Sequence, residues 1–171
     1  MLGIIAYGSL INRQETKNVG SPPIAAIPVK LRNFKRSFNQ RPAWRKETSE
    51  NTAVLNVQKS QTHWINGICY CFENFDFALL DEREKGYTRT LLKPEGISSY
   101  TSLEAPLPEN IYIYLGKAEY LNESLLPHQD YLNICLRGAQ NWGDSFAADF
   151  SDTTYIRNGI LLRDLAKTIT K

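Results

Sequence analysis

Two short stretches of this chain carry residues whose types and spacing could do chemistry. The first contains Glu84, within Leu80-Asp81-Glu82-Arg83-Glu84-Lys85-Gly86-Tyr87. Phe77, Leu80 and Glu84 stand at i, i+3 and i+7 of a helix predicted over 74–84, so the carboxyl lies on its apolar face. A buried carboxyl without an ionic partner has a raised pKa, which suits general acid or base catalysis near neutral pH. Charge runs of this kind are more often solvated helix faces, and the spacing leaves that interpretation open.

The second stretch is the turn Tyr7-Gly8-Ser9-Leu10, which follows the apolar run 3–6. A continuous apolar run predicts a buried strand. Gly8 allows either a positive φ or the close approach of another group. Ser9 and the amides around it could then face a small anionic or carbonyl group. Taken alone, the turn is also what an ordinary strand-to-loop connection looks like.

Strands with local turns and inserted helices must position these two stretches. A shift in the phase of the apolar residues inside the strand 24–39 predicts a bulge near Arg32-Asn33. Further strands are predicted at 52–57, 65–72, 87–92 and 110–118, with a turn at 59–62 between the first two of these. Helices are predicted at 127–137, 144–150 and 160–167, besides the helix at 74–84. Because the helices do not alternate regularly with the strands, the pattern favours an α+β fold.

Length and composition limit the class of protein. The chain has 171 residues, 42% hydrophobic and 22% charged, and a net charge of +2. These values predict a single globular domain over 1–171, with no general attraction to nucleic acid or a membrane surface. No apolar run approaches the length of a membrane span, and no signal peptide is apparent. Three cysteines cannot all pair within the chain, which favours a reducing compartment and a cytoplasmic location.

Several kinds of catalytic site are not supported by the sequence. The two histidines, His63 and His128, do not combine with the cysteines into zinc-ligand spacing. No Gly-x-Ser-x-Gly elbow occurs, and phosphate-binding or dinucleotide-binding glycine patterns are missing. We therefore predict neither a metal site nor a cofactor.

A basic stretch with interleaved aromatic residues, 30–46, is the one feature that suggests a nucleic-acid surface. Glu47 and Glu50 follow it at once, and the net charge of the chain is small. The stretch is also typical of one exposed face of an edge strand, where lysines discourage pairing with another sheet. We therefore predict no nucleic-acid partner.

Taken together, the turn Tyr7-Gly8-Ser9-Leu10 and the later stretch 80–87 resemble the γ-glutamylcyclotransferase-like superfamily, whose hallmarks are an N-terminal Tyr-Gly-Ser loop and a later Glu before a Gly/Tyr pair. Arg36-Ser37-Phe38 resembles the basic-x-Phe strand of that superfamily. The segment 131–139 is similar to its late helix, which contains a Tyr and ends in Gly-Ala. The order and spacing of these motifs cover most of the chain.

This resemblance implies a fold and an activity. The fold is a small bent mixed or antiparallel β-barrel with peripheral helices. The activity is the cyclisation of a γ-glutamyl group to 5-oxoproline, with release of the attached amine and without a metal or cofactor. The implied partner is a small-molecule γ-glutamyl substrate, whose leaving amine and the oligomeric state of the protein both stay open. The alternative is a non-catalytic small-molecule binding module on the same fold.

The resemblance also assigns roles to individual residues. It makes Glu84 the general acid/base, which takes a proton from the substrate amine and returns it to the leaving amine. The loop amides would hold the substrate carboxylate or the developing oxyanion, and the tyrosines would form the pocket wall. The implied substrate-binding residues are Ala6, Tyr7, Gly8, Ser9, Leu10, Tyr87 and Tyr131.

Overall fold

The computed structural model describes residues 1–18, 20–43, 51–102 and 106–165. The strands are β1 (Leu2–Ala6), β2 (Ala25–Gln40), β3 (Thr52–Phe72), β4 (Tyr87–Leu92), β5 (Ile97–Ser99), β6 (Asn110–Gly116), β7 (Leu126–Pro127), β8 (Thr154–Ile156) and β9 (Ile160–Leu161). The helices are α1 (Ala78–Arg83), α2 (Gln129–Gln140) and α3 (Asp144–Asp152). Within these described ranges no helix is long and apolar enough to cross a membrane.

The strands form a mixed sheet in the order β4-β6-β1-β3-β2-β8-β9, to which β5 and β7 add short pairings with β2 and β3. β1 is an interior strand, antiparallel to β3 and parallel to β6, and its last four residues are buried. The predicted α+β class is therefore confirmed.

The predicted barrel needs a correction, because the sheet is bent but not closed. Closure would require hydrogen bonds between the two end strands, β4 and β9, and the described strands contain no such pair. Each end strand instead has a single neighbour, β6 for β4 and β8 for β9. Long-range pairing of this kind leaves no mark in the local apolar pattern.

The long hairpin of β2 and β3 supplies the bend. The register between them jumps from the pair Arg32–Trp64 to the pair Phe34–Lys59, and Asn33 has a φ of 66°. This confirms the predicted bulge. The predicted turn at 59–62 is wrong, because β3 continues through it as one strand of 21 residues. Pairing with β2 on both sides of the jump outweighs the polar composition of that segment.

The predicted helix boundaries were less accurate. α1 begins at Ala78, not at residue 74, and the carboxylate of Asp76 accepts a hydrogen bond from the Ala78 amide at 2.9 Å. Glu84 is the C-terminal capping residue of α1, and the helix therefore ends with its cap two residues before Gly86. In place of a last helix the chain forms β9 and one short 3-10 turn, Leu162–Asp164. Residues 166 and 167 of that prediction lie outside the described residues.

The interpretation of the stretch 30–46 as one exposed basic face is wrong for Arg36, because its side chain is fully buried. One terminal nitrogen donates to the carbonyls of Asn66 (2.8 Å) and Tyr7 (3.4 Å), and the other to the carbonyl of Phe150 (3.1 Å). Burial lowers the pKa of Arg36 to about 9, so the guanidinium is still protonated at neutral pH. Residues 44–46 of the basic stretch, together with Glu47 and Glu50, lie outside the described residues.

We expect Arg36→Leu to destabilise the protein by about 3–5 kcal/mol, because it leaves several buried carbonyls without a donor. Urea unfolding followed by circular dichroism measures this change. Arg32→Leu is the matched control, because Arg32 lies on the same strand and is exposed. A change within about 0.5 kcal/mol is expected for the control. Equal midpoints for the two variants would show that the buried contacts of Arg36 do not stabilise the fold.

Candidate active site

A cavity that opens to solvent, with about 410 Å³ of empty space when its open mouth is included, lies between the end of β1, α1 and α2. All of the site residues predicted from the sequence line it, and their catalytic and binding roles stay predictions. Five further lining residues were not predicted as site residues: Ile4, Ile5, Leu55, Leu80 and Tyr114. The predicted residues that the cavity brings together are Ala6, Tyr7, Gly8, Ser9, Leu10, Glu84, Tyr87 and Tyr131.

The loop after β1 is held against α2 by a close contact. The Ser9 amide donates to the hydroxyl of Tyr131 at 3.3 Å, although 122 positions separate them in the chain. A Cβ on Gly8 would lie 2.5 Å from the same hydroxyl, so no larger residue fits there without movement. Gly8 has a φ of −124° and does not use the left-handed region. Of the two reasons for a glycine considered from the sequence, close approach is the one that applies.

The Glu84 carboxyl is 17% exposed and lies 3.3 Å from the side-chain nitrogen Nε of Arg83. Burial raises the pKa of Glu84, and the neighbouring positive charge of Arg83 opposes that rise. Arg83 also reaches the loop, since its terminal nitrogen donates to Ser9 Oγ at 3.4 Å. Glu84 therefore has a raised pKa together with a nearby cation that connects it to the loop.

Main-chain and side-chain hydrogen bonds hold the turn that follows Glu84. The Glu84 carbonyl accepts a hydrogen bond from the Tyr87 amide at 2.8 Å, which closes the turn. The carbonyl of Gly86 accepts from the Lys117 amide and from the side-chain amide of Gln40, both at 3.0 Å. Gln40 is fully buried, so this support does not depend on a solvent-exposed group. The backbone that carries Glu84 is thus fixed by two other parts of the sheet.

Two tyrosines of the cavity, Tyr7 and Tyr87, donate hydrogen bonds to main-chain carbonyls. Tyr7 donates to the carbonyl of Tyr114 at 2.5 Å, and Tyr87 donates to the carbonyl of Leu55 at 2.8 Å. Burial raises the pKa of Tyr7, Tyr87 and Tyr131 well above the ordinary value, so all three are neutral at physiological pH. The oxygens of Tyr7 and Tyr87 are left as hydrogen-bond acceptors that face a partly polar cavity.

No sequence signal singles out Leu55, Tyr114 or Gln40. Leu55 and Tyr114 belong to alternating strands in which many residues look alike, and Gln40 contacts the Glu84 turn from 46 positions away. In the part of the chain that the structure describes, no three His, Cys, Asp or Glu side chains are close enough to hold a metal ion.

Comparison of sequences identified no protein-family profile that matches the chain, and no curated protein that matches it. Comparison of structures did find matches. A γ-glutamyl cyclotransferase superimposes with a TM-score of 0.65 over 98% of this chain and 97% of its own, at 16% identity. This chain has the γ-glutamyl cyclotransferase fold.

Two further structures share the γ-glutamyl cyclotransferase fold with the chain. An uncharacterized protein from Homo sapiens matches with a TM-score of 0.66 and 18% identity, over 99% of this chain and 98% of its own. A γ-glutamyl cyclotransferase specific to glutathione from yeast matches with a TM-score of 0.58 and 15% identity, over 98% of each chain. The resemblance inferred from the sequence motifs is confirmed at the level of the fold.

We expect Gly8→Ala to destabilise the protein by about 1–3 kcal/mol, because the new methyl group meets the Tyr131 hydroxyl. The double variant Gly8→Ala/Tyr131→Phe removes that hydroxyl and should recover part of the loss, which a double-mutant cycle of unfolding free energies measures. Gly96→Ala is the control, because a Cβ there meets only one atom, at 3.9 Å. Strict additivity of the two site substitutions would contradict a direct clash.

Proposed function

We propose that the chain catalyses the cyclisation of a γ-glutamyl compound to 5-oxoproline, with Glu84 as the general acid/base. The observation that supports this proposal best is the position of a buried carboxyl of raised pKa in one cavity with the loop after β1. The shared fold with γ-glutamyl cyclotransferases agrees with it. Because a fold does not determine an activity, the argument depends on the chemistry of the cavity.

The substrate α-ammonium loses two protons in this reaction, and Glu84 carries the first of them. The ammonium gives that proton to the Glu84 carboxylate, and the free amine attacks the δ-carbonyl carbon. A new C–N bond closes the five-membered ring, and the carbonyl oxygen becomes an oxyanion. Collapse of this intermediate breaks the bond to the leaving nitrogen, which takes the first proton from Glu84, and the ring nitrogen then gives its second proton to the Glu84 carboxylate or to solvent, which leaves a neutral lactam. The nucleophile is already part of the substrate, so the protein mainly orients it.

The lining of the cavity suits the charged head of such a substrate. The hydroxyl oxygens of Tyr7 and Tyr87 remain acceptors and can receive hydrogen bonds from the substrate ammonium. The main-chain amide at Gly8, and that of Ser9 when it exchanges the Tyr131 hydroxyl for the substrate, offer donors to the substrate carboxylate or to the oxyanion. Arg83 adds a positive charge beside the loop. Both ends of an amino-acid head group thus have complementary partners.

We also propose a cytoplasmic location. Cys69, Cys71 and Cys135 are all buried and free, which agrees with a reducing compartment.

We expect Glu84→Gln to lower the release of 5-oxoproline by about 10²-fold or more, while the circular dichroism spectrum stays unchanged. Mass spectrometry of 5-oxoproline across a panel of γ-glutamyl substrates measures this effect. Glu82→Gln is the control, since the Glu82 side chain is 80% exposed on the same helix. A wild-type rate in Glu84→Gln would remove Glu84 from the mechanism. A wild-type protein that binds γ-glutamyl ligands and never consumes them would instead be a binding module.

We expect Arg83→Gln to shift the acid limb of the kcat/KM profile to higher pH. Glu84 must be deprotonated to accept the first proton, and removal of the Arg83 charge raises the pKa of Glu84 further. Lys85→Gln removes the same charge from a half-exposed side chain and should leave the limb in place. An unmoved limb in Arg83→Gln would mean that this limb does not report Glu84.

A further inference from the structure

A second cavity, with about 340 Å³ of empty space when its open mouth is included, lies beside the Glu84 cavity. The described residues that line it contribute aromatic and aliphatic side chains, together with Thr16 and Ser21, and none of them is charged. The hydroxyl of Tyr70 is already used, since it donates to the Leu10 carbonyl at 3.0 Å. The described lining of this cavity is therefore mainly apolar, and none of its residues can form an ion pair.

The two cavities are contiguous. Ile4, Ala6, Leu10 and Leu80 line both of them. Ile4 pairs with Tyr70 across the sheet, and paired residues of neighbouring strands share a face. The β1 residues common to both cavities, Ile4 and Ala6, lie on one face of the sheet, and Leu10 and Leu80 also border both cavities.

A charged cleft adjoins the Glu84 cavity at Tyr87 and Tyr114. Passage in that direction is obstructed, because Tyr114 donates to the Asp81 carboxylate at 2.5 Å and Tyr87 is tied to a main-chain carbonyl. Asp81 also pairs with Arg89 at 3.1 Å, so this cation of the cleft already has a counter-ion. By contrast, the residues that line both cavities are all aliphatic, and Leu10 among them is only partly buried. A substituent directed past Leu10 would therefore meet aliphatic side chains.

We propose that the apolar cavity receives the substituent of the leaving amine, and that the preferred substrates are γ-glutamyl amides of apolar amines without a carboxylate. This inference rests on the proposed cyclisation. The leaving nitrogen stays beside Glu84, where it takes up its proton, and only the hydrocarbon part passes Leu10. Each methylene group that leaves water for the cavity favours binding, whereas a carboxylate would be buried there without a partner. Leu10 is thereby the residue that determines specificity.

The test compares two substrates that differ only in a carboxylate, γ-glutamyl-n-pentylamide and γ-glutamylnorleucine. We expect kcat/KM to be about tenfold or more higher for the pentylamide, because a buried unpaired carboxylate is strongly disfavoured. Equal values, or a preference for the norleucine compound, would overturn the assignment.

A cavity-filling variant connects this preference to the cavity. Thr16→Phe places an aromatic ring in the apolar cavity and should abolish the advantage of the pentylamide, while γ-glutamylmethylamide, which does not reach the cavity, keeps its rate. Ser21→Phe fills the same space and replaces the first variant if that one does not fold. A pentylamide advantage that survives in a folded cavity-filled variant would contradict the proposal.

Binding measurements separate this inference from the proposed reaction. Calorimetry on Glu84→Gln compares the affinities for the two matched compounds without turnover. If no compound yields 5-oxoproline but the pentylamide binds about tenfold more tightly, the proposed function fails and the cavity assignment stands. If both compounds are cyclised with equal kcat/KM and bind equally, the function stands and the cavity assignment fails.

Discussion

The buried guanidinium of Arg36 is the constraint on which the arrangement of the sheet and the loop depends. No carboxylate among the described residues forms an ion pair with it, and its charge is balanced by the dipoles of carbonyls and hydroxyls. These acceptors come from the end of β1, from β3 and from the end of α3. A fully satisfied buried network of this kind holds its members in one geometry. The Tyr7 carbonyl is thus held by Arg36, which is not among the residues that line the cavity.

A different electrostatic balance governs Glu84. Desolvation favours its neutral form and Arg83 favours its charged form. The two effects oppose each other in setting the pKa of Glu84. The related structures share the path of the backbone at 15 to 18% identity, which means that most side chains differ. The balance at Glu84 is therefore a property of this chain's own neighbours and has to be argued from them.

Short sequence patterns predicted those features of the structure that interactions between neighbouring residues determine. The apolar run of β1 and the bulge near Asn33 were visible in short windows of sequence, whereas the pairing of the loop with Glu84 as one site came from the resemblance to the γ-glutamylcyclotransferase-like superfamily. The continuous strand β3 was not, because its pairing with β2 decides its path and its own residues are polar there. The sequence could not decide why a glycine stands at position 8, because the group that approaches it, the Tyr131 hydroxyl, comes from a helix far along the chain. The open edge of the sheet depends on long-range pairing in the same way.

The place of β1 between β3 and β6 has a consequence for biosynthesis. β1 is translated before both of its neighbours, residues 68–72 and 110–112. The hydroxyl that supports its loop is delivered later still, by α2. A growing chain therefore carries an apolar strand with no partner until residues 68–72 are made and with one open edge until residues 110–112 are made, a situation in which partly folded chains aggregate or engage chaperones. Removal of α2 would leave that loop without its support, even though every residue of the loop is intact.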